Sequence, residues 1–168
     1  IPEFSFPLIN NQDPDTIKAL KHALTTHGFF TITDHGIDDD LLSSSYSMSK
    51  KFFELEEVTK NIYAHPEMGG ARGYTPFGKE TALGETTPDM KEFWHHGPVT
   101  DDSFDKRIAS NINVAELPEF NSQFDELFDD LNLLGMKVLS AIAVILHKES
   151  NFFDDWVSKG NSLLRLLH

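Results

Sequence analysis

Eight histidines stand among 27 acidic residues in this chain, so metal ligation is the first chemistry to weigh. A two-His, one-carboxylate iron site needs a His-x-Asp/Glu pair on one strand and a distant second His, leaving open positions for oxygen. His65-Pro66-Glu67 is a literal match. Pro66 removes a strand donor, however, and the flanks are turn-like, so the segment reads as a surface turn rather than a rigid ligand set. His95 and His96 are adjacent, and on a strand they point to opposite faces, which makes a shared ion difficult. His147 closes a long helical period, where the helix dipole favours a cation without any metal. No metal ligand set and no catalytic residue is therefore assigned within the chain. Gly78-Lys79-Glu80-Thr81 lacks the hydroxyl residue a phosphate-binding loop needs after its Lys, and Gly69-Gly70-Ala71-Arg72-Gly73 follows no strand in dinucleotide-binding spacing. No Gly-x-Ser-x-Gly elbow is present for a serine hydrolase.

The elements that could position these groups follow from local signals. Asp13-Pro14 reads as a helix cap with Pro at the first turn, and Ile17, Leu20 and Leu24 then repeat at helical spacing until Gly28. Phe29-Phe30-Thr31-Ile32-Thr33 predicts a buried strand closed by Asp34-His35-Gly36. Asp38-Asp39-Asp40 suits a helix N-terminus, with Leu42, Tyr46 and Phe53 marking one face. From Ala64 to Gly97, frequent Gly and Pro predict loop with short strands, and Thr100–Asp105 reads as solvated loop without the spacing of a calcium site. Beyond Pro118, Phe120, Phe124, Leu127, Leu131, Leu134, Val138, Ile142 and Ile145 predict a long core helix of roughly 28 residues. A helical patch near Phe152–Val157 and a strand over Ser162–His168 complete the chain. So few strands make a poor independent sheet, and this reading expects polypeptide to continue past His168.

Composition narrows the function classes. The chain has 168 residues, 39% of them hydrophobic, and 14 Lys plus Arg against 27 Asp plus Glu give a net charge of −13. Such a surface repels phosphate backbones and anionic lipid, so neither nucleic acid nor a membrane is an expected partner. Cys is absent, which excludes disulfides, thiolate metal sites and a cysteine nucleophile, and fits a reducing, cytoplasmic setting.

Four signatures then occur in order: Ile1-Pro2-Glu3-Phe4, Gly28-Phe29-Phe30-Thr31-Ile32-Thr33-Asp34-His35-Gly36-Ile37, Arg72-Gly73-Tyr74, and Asp89-Met90-Lys91-Glu92-Phe93-Trp94-His95-His96-Gly97. Together they resemble the N-terminal region of the iron(II)- and 2-oxoglutarate-dependent oxygenases related to isopenicillin N synthase. The resemblance covers nearly the whole chain; the opening segment departs from it where Phe4-Ser5 stand in place of the family's usual Asp. It implies an α+β fold. Residues 1–160 would form a helical N-terminal region with a long core helix, and residues 161–168 the first strand of a double-stranded β-helix (jelly-roll) whose remainder lies outside this sequence. It implies Fe(II) and 2-oxoglutarate as cofactor and co-substrate, with their ligands downstream of His168, so that the 168 residues alone are expected to be inactive. In that family oxygen drives decarboxylation of 2-oxoglutarate to succinate while a small organic substrate is hydroxylated, desaturated or ring-closed.

The resemblance also points to substrate-binding residues. Arg72 and Tyr74 match the segment that approaches the substrate mouth, although a structural role suits Tyr74 equally. Alternation groups Arg165 with Leu167 and separates them from Leu164, Leu166 and His168; the family's matching strand implies that the first set faces the barrel interior, where Arg165 would offer a cation to an anionic small molecule. A surface Arg pairing with one of many carboxylates is an equal reading. His95, grouped by alternation with Lys91 and Phe93 against Glu92, Trp94 and His96, completes the candidate set. Two other readings remain: a non-catalytic interaction module docking through the Pro118–His147 helix, and an oxidase that closes rings without 2-oxoglutarate.

Overall fold

Asp13 accepts hydrogen bonds from the Thr16 amide (2.9 Å) and hydroxyl (2.8 Å), and with Pro14 at the first position it starts a helix where the sequence predicts one. The computed structural model describes residues 1–81, 83, 84 and 86–168. In chain order the elements are β1 (Glu3–Ser5), α1 (Phe6–Asn10), α2 (Pro14–Thr26), β2 (Thr31–Thr33), α3 (Asp39–Phe53), α4 (Glu57–Ile62), β3 (Gly73–Thr75), β4 (Phe93–His96), α5 (Phe120–Ile145), α6 (Asp154–Val157) and β5 (Leu164–Leu167). They fall into two units, residues 1–37 with 130–160 and residues 38–129 with 161–168. Among the described residues no helix is long and apolar enough to cross a membrane.

In the first unit, β1 and β2 pair in parallel, with Phe4 opposite Ile32. Two three-residue strands cannot stand alone. They are held by a core of Ile9, Leu20 and Ala141, against which Phe4, Ile17, Leu24, Phe30, Ile32 and Ile145 pack. The strand predicted as buried is therefore buried on one side only: Phe30 and Ile32 turn inward, while Phe29 is 54% exposed and Thr31 is exposed. His147 stands two residues past the last residue of α5. It lies beyond the helix with φ +57°, its amide bonded to Val144 O and the Lys148 amide to Ala143 O, the paired closure of a left-handed helix end.

The second unit is organised around aromatic rings. Leu41, Ser45, Met48 and Phe52 form the buried stripe of α3, at steps of four, three and four. This corrects the predicted face, since Tyr46 is 79% exposed; Phe53 belongs to the buried side but Leu42 is only partly covered. Phe52 is wholly buried, with ring centroids 4.9 Å from Trp94, 5.4 Å from Phe120, 5.8 Å from Tyr74 and 6.2 Å from Tyr63. Trp94 and Phe120 meet edge to face at 4.9 Å, and Phe120 and Phe124 at 4.7 Å. Behind this cluster lies an antiparallel sheet in the order β3-β4-β5, with Tyr74 opposite Trp94 and Trp94 opposite Leu166. Phe52→Ala is expected to cost about 3–5 kcal/mol in urea denaturation, whereas Tyr46→Ala should change stability by less than about 0.5 kcal/mol.

Candidate functional site

All four residues of β4 are buried, so the strand is covered on both faces; Trp94 Nε1 and His96 Nδ1 are buried without a partner, whereas the remaining polar contacts are made within the protein. Alternation assigns Trp94 and His96 to the aromatic side, with Glu92 just ahead of the strand following the same parity, and Phe93 and His95 to the other.

On the aromatic side, Glu92 is 1% exposed and fully engaged. Its carboxylate accepts from Lys60 Nζ at 2.7 Å, from the Tyr74 hydroxyl and from His168 Nδ1 at 2.8 Å. Lys60 also donates to Phe53 O at 3.1 Å, and the His168 ring stacks on Phe53 at 5.2 Å. Burial by itself raises the Glu92 carboxyl, but the hydrogen bonds from Lys60, Tyr74 and His168 outweigh it and hold the group below its ordinary range. The Tyr74 phenol is pushed up, by burial first and by its bond to Glu92 second. Further along the same side, His96 Nε2 lies 2.7 Å from Asp125 Oδ1, and Asn111 clasps Gly97 through both its amide and its carbonyl at 2.8 Å. Burial lowers the His96 pKa against the opposing pull of Asp125.

On the other side, His95 Nδ1 sits 2.6 Å from Gly70 O, a carbonyl that can only accept, so Nδ1 carries the proton. Nε2 is then a lone-pair acceptor, and Arg165 Nε donates to it at 2.7 Å across the β4–β5 register. Burial lowers the His95 pKa, and the adjacent Arg165 cation lowers it further against the Gly70 carbonyl. The Arg165 guanidinium lies over the Phe93 ring at 4.2 Å, and its Nη2 reaches Glu80 Oε1 only at 3.5 Å. Glu80 and Phe93, which both touch Arg165, line a cavity of about 530 Å³ together with His65, Tyr74, Thr75 and Lys79, among others; Arg165 and His95 themselves are not among its lining residues.

The structure thus joins His95 to Arg165 and places Tyr74 on the cavity wall with its hydroxyl bound inward. Arg72 stands apart. It is 1% exposed, donates to Ala71 O at 2.7 Å and Asn161 Oδ1 at 2.9 Å, and leaves Nε without a partner. A Cβ at Gly97 would overlap its guanidinium, so a larger residue there would have to displace Arg72. Gly73 is held more firmly, by its φ of +79° and because a Cβ would come within 2.6 Å of the Tyr63 backbone oxygen. Glu92, Lys60 and His168 are absent from the sequence-based set. The available signal was parity: a carboxylate sharing a strand face with Trp94 must be buried and therefore paired.

Residues 1–116 match the family described as non-haem dioxygenase in morphine synthesis N-terminal. The chain belongs to that family. It is 29% identical to a 2-oxoglutarate-dependent dioxygenase of Didymella fabae over 163 residues, covering 90% of this chain and 49% of that protein. The crystal structure of a 2OG-Fe(II) oxygenase family protein from Caulobacter crescentus superposes with a TM-score of 0.87 at 38% identity, over 99% of this chain and 55% of the other. A full-length Neurospora crassa protein crystallised in complex with alpha-KG and thymine gives 0.82 at 29% identity, over 99% and 54%. The chain spans about half the length of each of these relatives. Among the described residues of this oxygenase N-terminal region, no group of three or more His, Asp or Glu side chains is arranged to hold a metal ion. His65 and Glu67 pair with each other at 2.8 Å on a short 3-10 turn, and His95 spends its lone pair on Arg165. These residues do not fit an iron site.

Two stability tests follow. Glu92→Gln leaves Lys60 buried without its carboxylate and is expected to cost about 3–5 kcal/mol at pH 7 in chemical denaturation. His95 and His96 have native pKa values below the ordinary 6.5, so the unfolded chain binds protons first. Their stabilising contribution is complete above pH 6.5 and is lost as the pH falls through their native values. The melting temperature should therefore fall on acidification below about pH 6.5, and less steeply in His96→Gln.

Proposed function

We propose that these residues are the N-terminal part of a non-haem iron(II)- and 2-oxoglutarate-dependent dioxygenase that oxidises a small organic substrate. The family match over residues 1–116 carries this reading, supported by the superposition on a structure that holds alpha-KG and thymine. Residues 161–168 are the first strand of its jelly-roll, and the ligands for iron and 2-oxoglutarate lie outside the described residues. The acidic, cysteine-free composition suits a cytoplasmic enzyme.

The substrate is anionic in this reading. Arg165 supplies the cation and His95 orients it, while Tyr74 borders the cavity with its hydroxyl held by Glu92. Arg72 serves the site indirectly, by fixing the loop that carries the Gly70 carbonyl.

The natural full-length protein, supplied with Fe(II), 2-oxoglutarate and oxygen, is expected to form succinate with oxygen uptake, and to stop when the iron is chelated. Iron-loaded protein that yields no succinate contradicts the reading. With an acidic substrate, Arg165→Ala should raise KM by about tenfold, the scale of one lost charge-assisted hydrogen bond.

A further inference from the structure

The geometry of Arg165 is that of a cation prepared for a ligand. Its Nε is bound to His95, its Cζ lies over the Phe93 ring at 4.2 Å, and its side chain remains 39% exposed. Those two contacts fix the orientation of the fork and leave the Nη edge available, the edge that pairs with a carboxylate in two parallel bonds. Only Glu80 approaches it among the described residues, and that contact is long at 3.5 Å. Glu80 has a better partner: its Oε2 lies 2.6 Å from Lys91 Nζ, and Lys91 is held in turn by Asp89 at 2.8 Å. A carboxylate thus already points at the Arg165 fork without closing on it. Glu80 also lines the 530 Å³ cavity, together with Phe93, Tyr74, Pro66 and Pro76.

We propose that His95, Arg165 and Glu80 form a carboxylate-binding site in which His95 positions the guanidinium and Glu80 is an internal carboxylate that the ligand displaces. The ligand is a small molecule with one carboxylate on an apolar or aromatic body, since the cavity that Glu80 and Phe93 border is also lined by Pro66 and Pro76. On displacement Glu80 keeps its ion pair with Lys91, so the exchange strands no charge. This assignment rests on the dioxygenase reading only in taking the ligand to be the reaction's substrate.

The test is calorimetric titration of the protein with phenylacetate, and with phenylacetamide as the uncharged control. Phenylacetate should bind at least about tenfold tighter than the amide. Glu80→Gln removes the competitor and should tighten phenylacetate binding severalfold, an effect that a merely structural Glu80 would not produce. His95→Ala should weaken it about tenfold, while His95→Gln, which keeps an acceptor for Arg165 and a donor for Gly70, should restore it to within about threefold of wild type. Affinity should be unchanged in saturating 2-oxoglutarate. Equal binding of acid and amide, an unchanged affinity in Glu80→Gln, or competition by 2-oxoglutarate would each overturn the proposal. Loss of succinate formation with this binding pattern intact contradicts the dioxygenase reading alone, whereas succinate formation without the pattern contradicts only the carboxylate site.

Discussion

Strand β4 is covered on both faces, and a strand in that position cannot leave a polar side chain to water. Each ionisable group on it, and Glu92 just ahead of it, is met by a specific partner elsewhere in the same unit. Glu92 and His96 are answered by Lys60, Tyr74, His168 and Asp125, and His95 by Gly70 and Arg165. Because side chains alternate strictly, the two histidines serve separate ends: one tethers α5 to the strand through Asp125, the other sets a guanidinium beside the cavity. A slip of one residue between β4 and β5 would bring Arg165 against Trp94 or His96 and abolish the second arrangement.

The loop between α4 and β4 is held to this sheet by buried charge and close backbone approach. Arg72 has no carboxylate within hydrogen-bond reach among the described residues, and its desolvation lowers its pKa. What keeps it in place is geometry: carbonyl acceptors at Ala71 and Asn161, and a glycine at position 97 that leaves room for the guanidinium. The cost of this burial is matched by a benefit to the site, since the same loop presents the Gly70 carbonyl that selects the His95 tautomer. Support for a residue beside the cavity therefore comes from a cation that itself touches neither the cavity nor the His95–Arg165 pair by a hydrogen bond.

Much of the fold was legible because strong local signals coincided. The Asp13-Pro14 cap, the aromatic and leucine period from Phe120 and the terminal Leu164–Leu167 strand all appear where the sequence places them. Short elements escaped. β1 has three residues and exists only because Thr31–Thr33 pairs with it, and α4 has six residues with no side-chain cap. The inward face of α3 was misread because Tyr46 is apolar enough to suggest a core while Ser45, one residue earlier, is the buried position. Parity along β4 separated His95 from His96 correctly, but the partners named for them, Gly70, Arg165 and Asp125, lie 25 to 70 residues away, and only the folded structure reveals them. Family signatures supplied what periodicity could not, the class of protein to which these residues belong.

The account turns on His95 being neutral, with its proton on Nδ1 and its Nε2 lone pair facing Arg165. Nitrogen-15 NMR of the histidine rings reads that state directly. At pH 7 the account predicts a protonated Nδ1 and an unprotonated Nε2 for His95, with the Arg165 Nε proton resolved by its bond to the ring. A proton on Nε2, or an imidazolium at that pH, would remove the acceptor and contradict the arrangement on which the site depends.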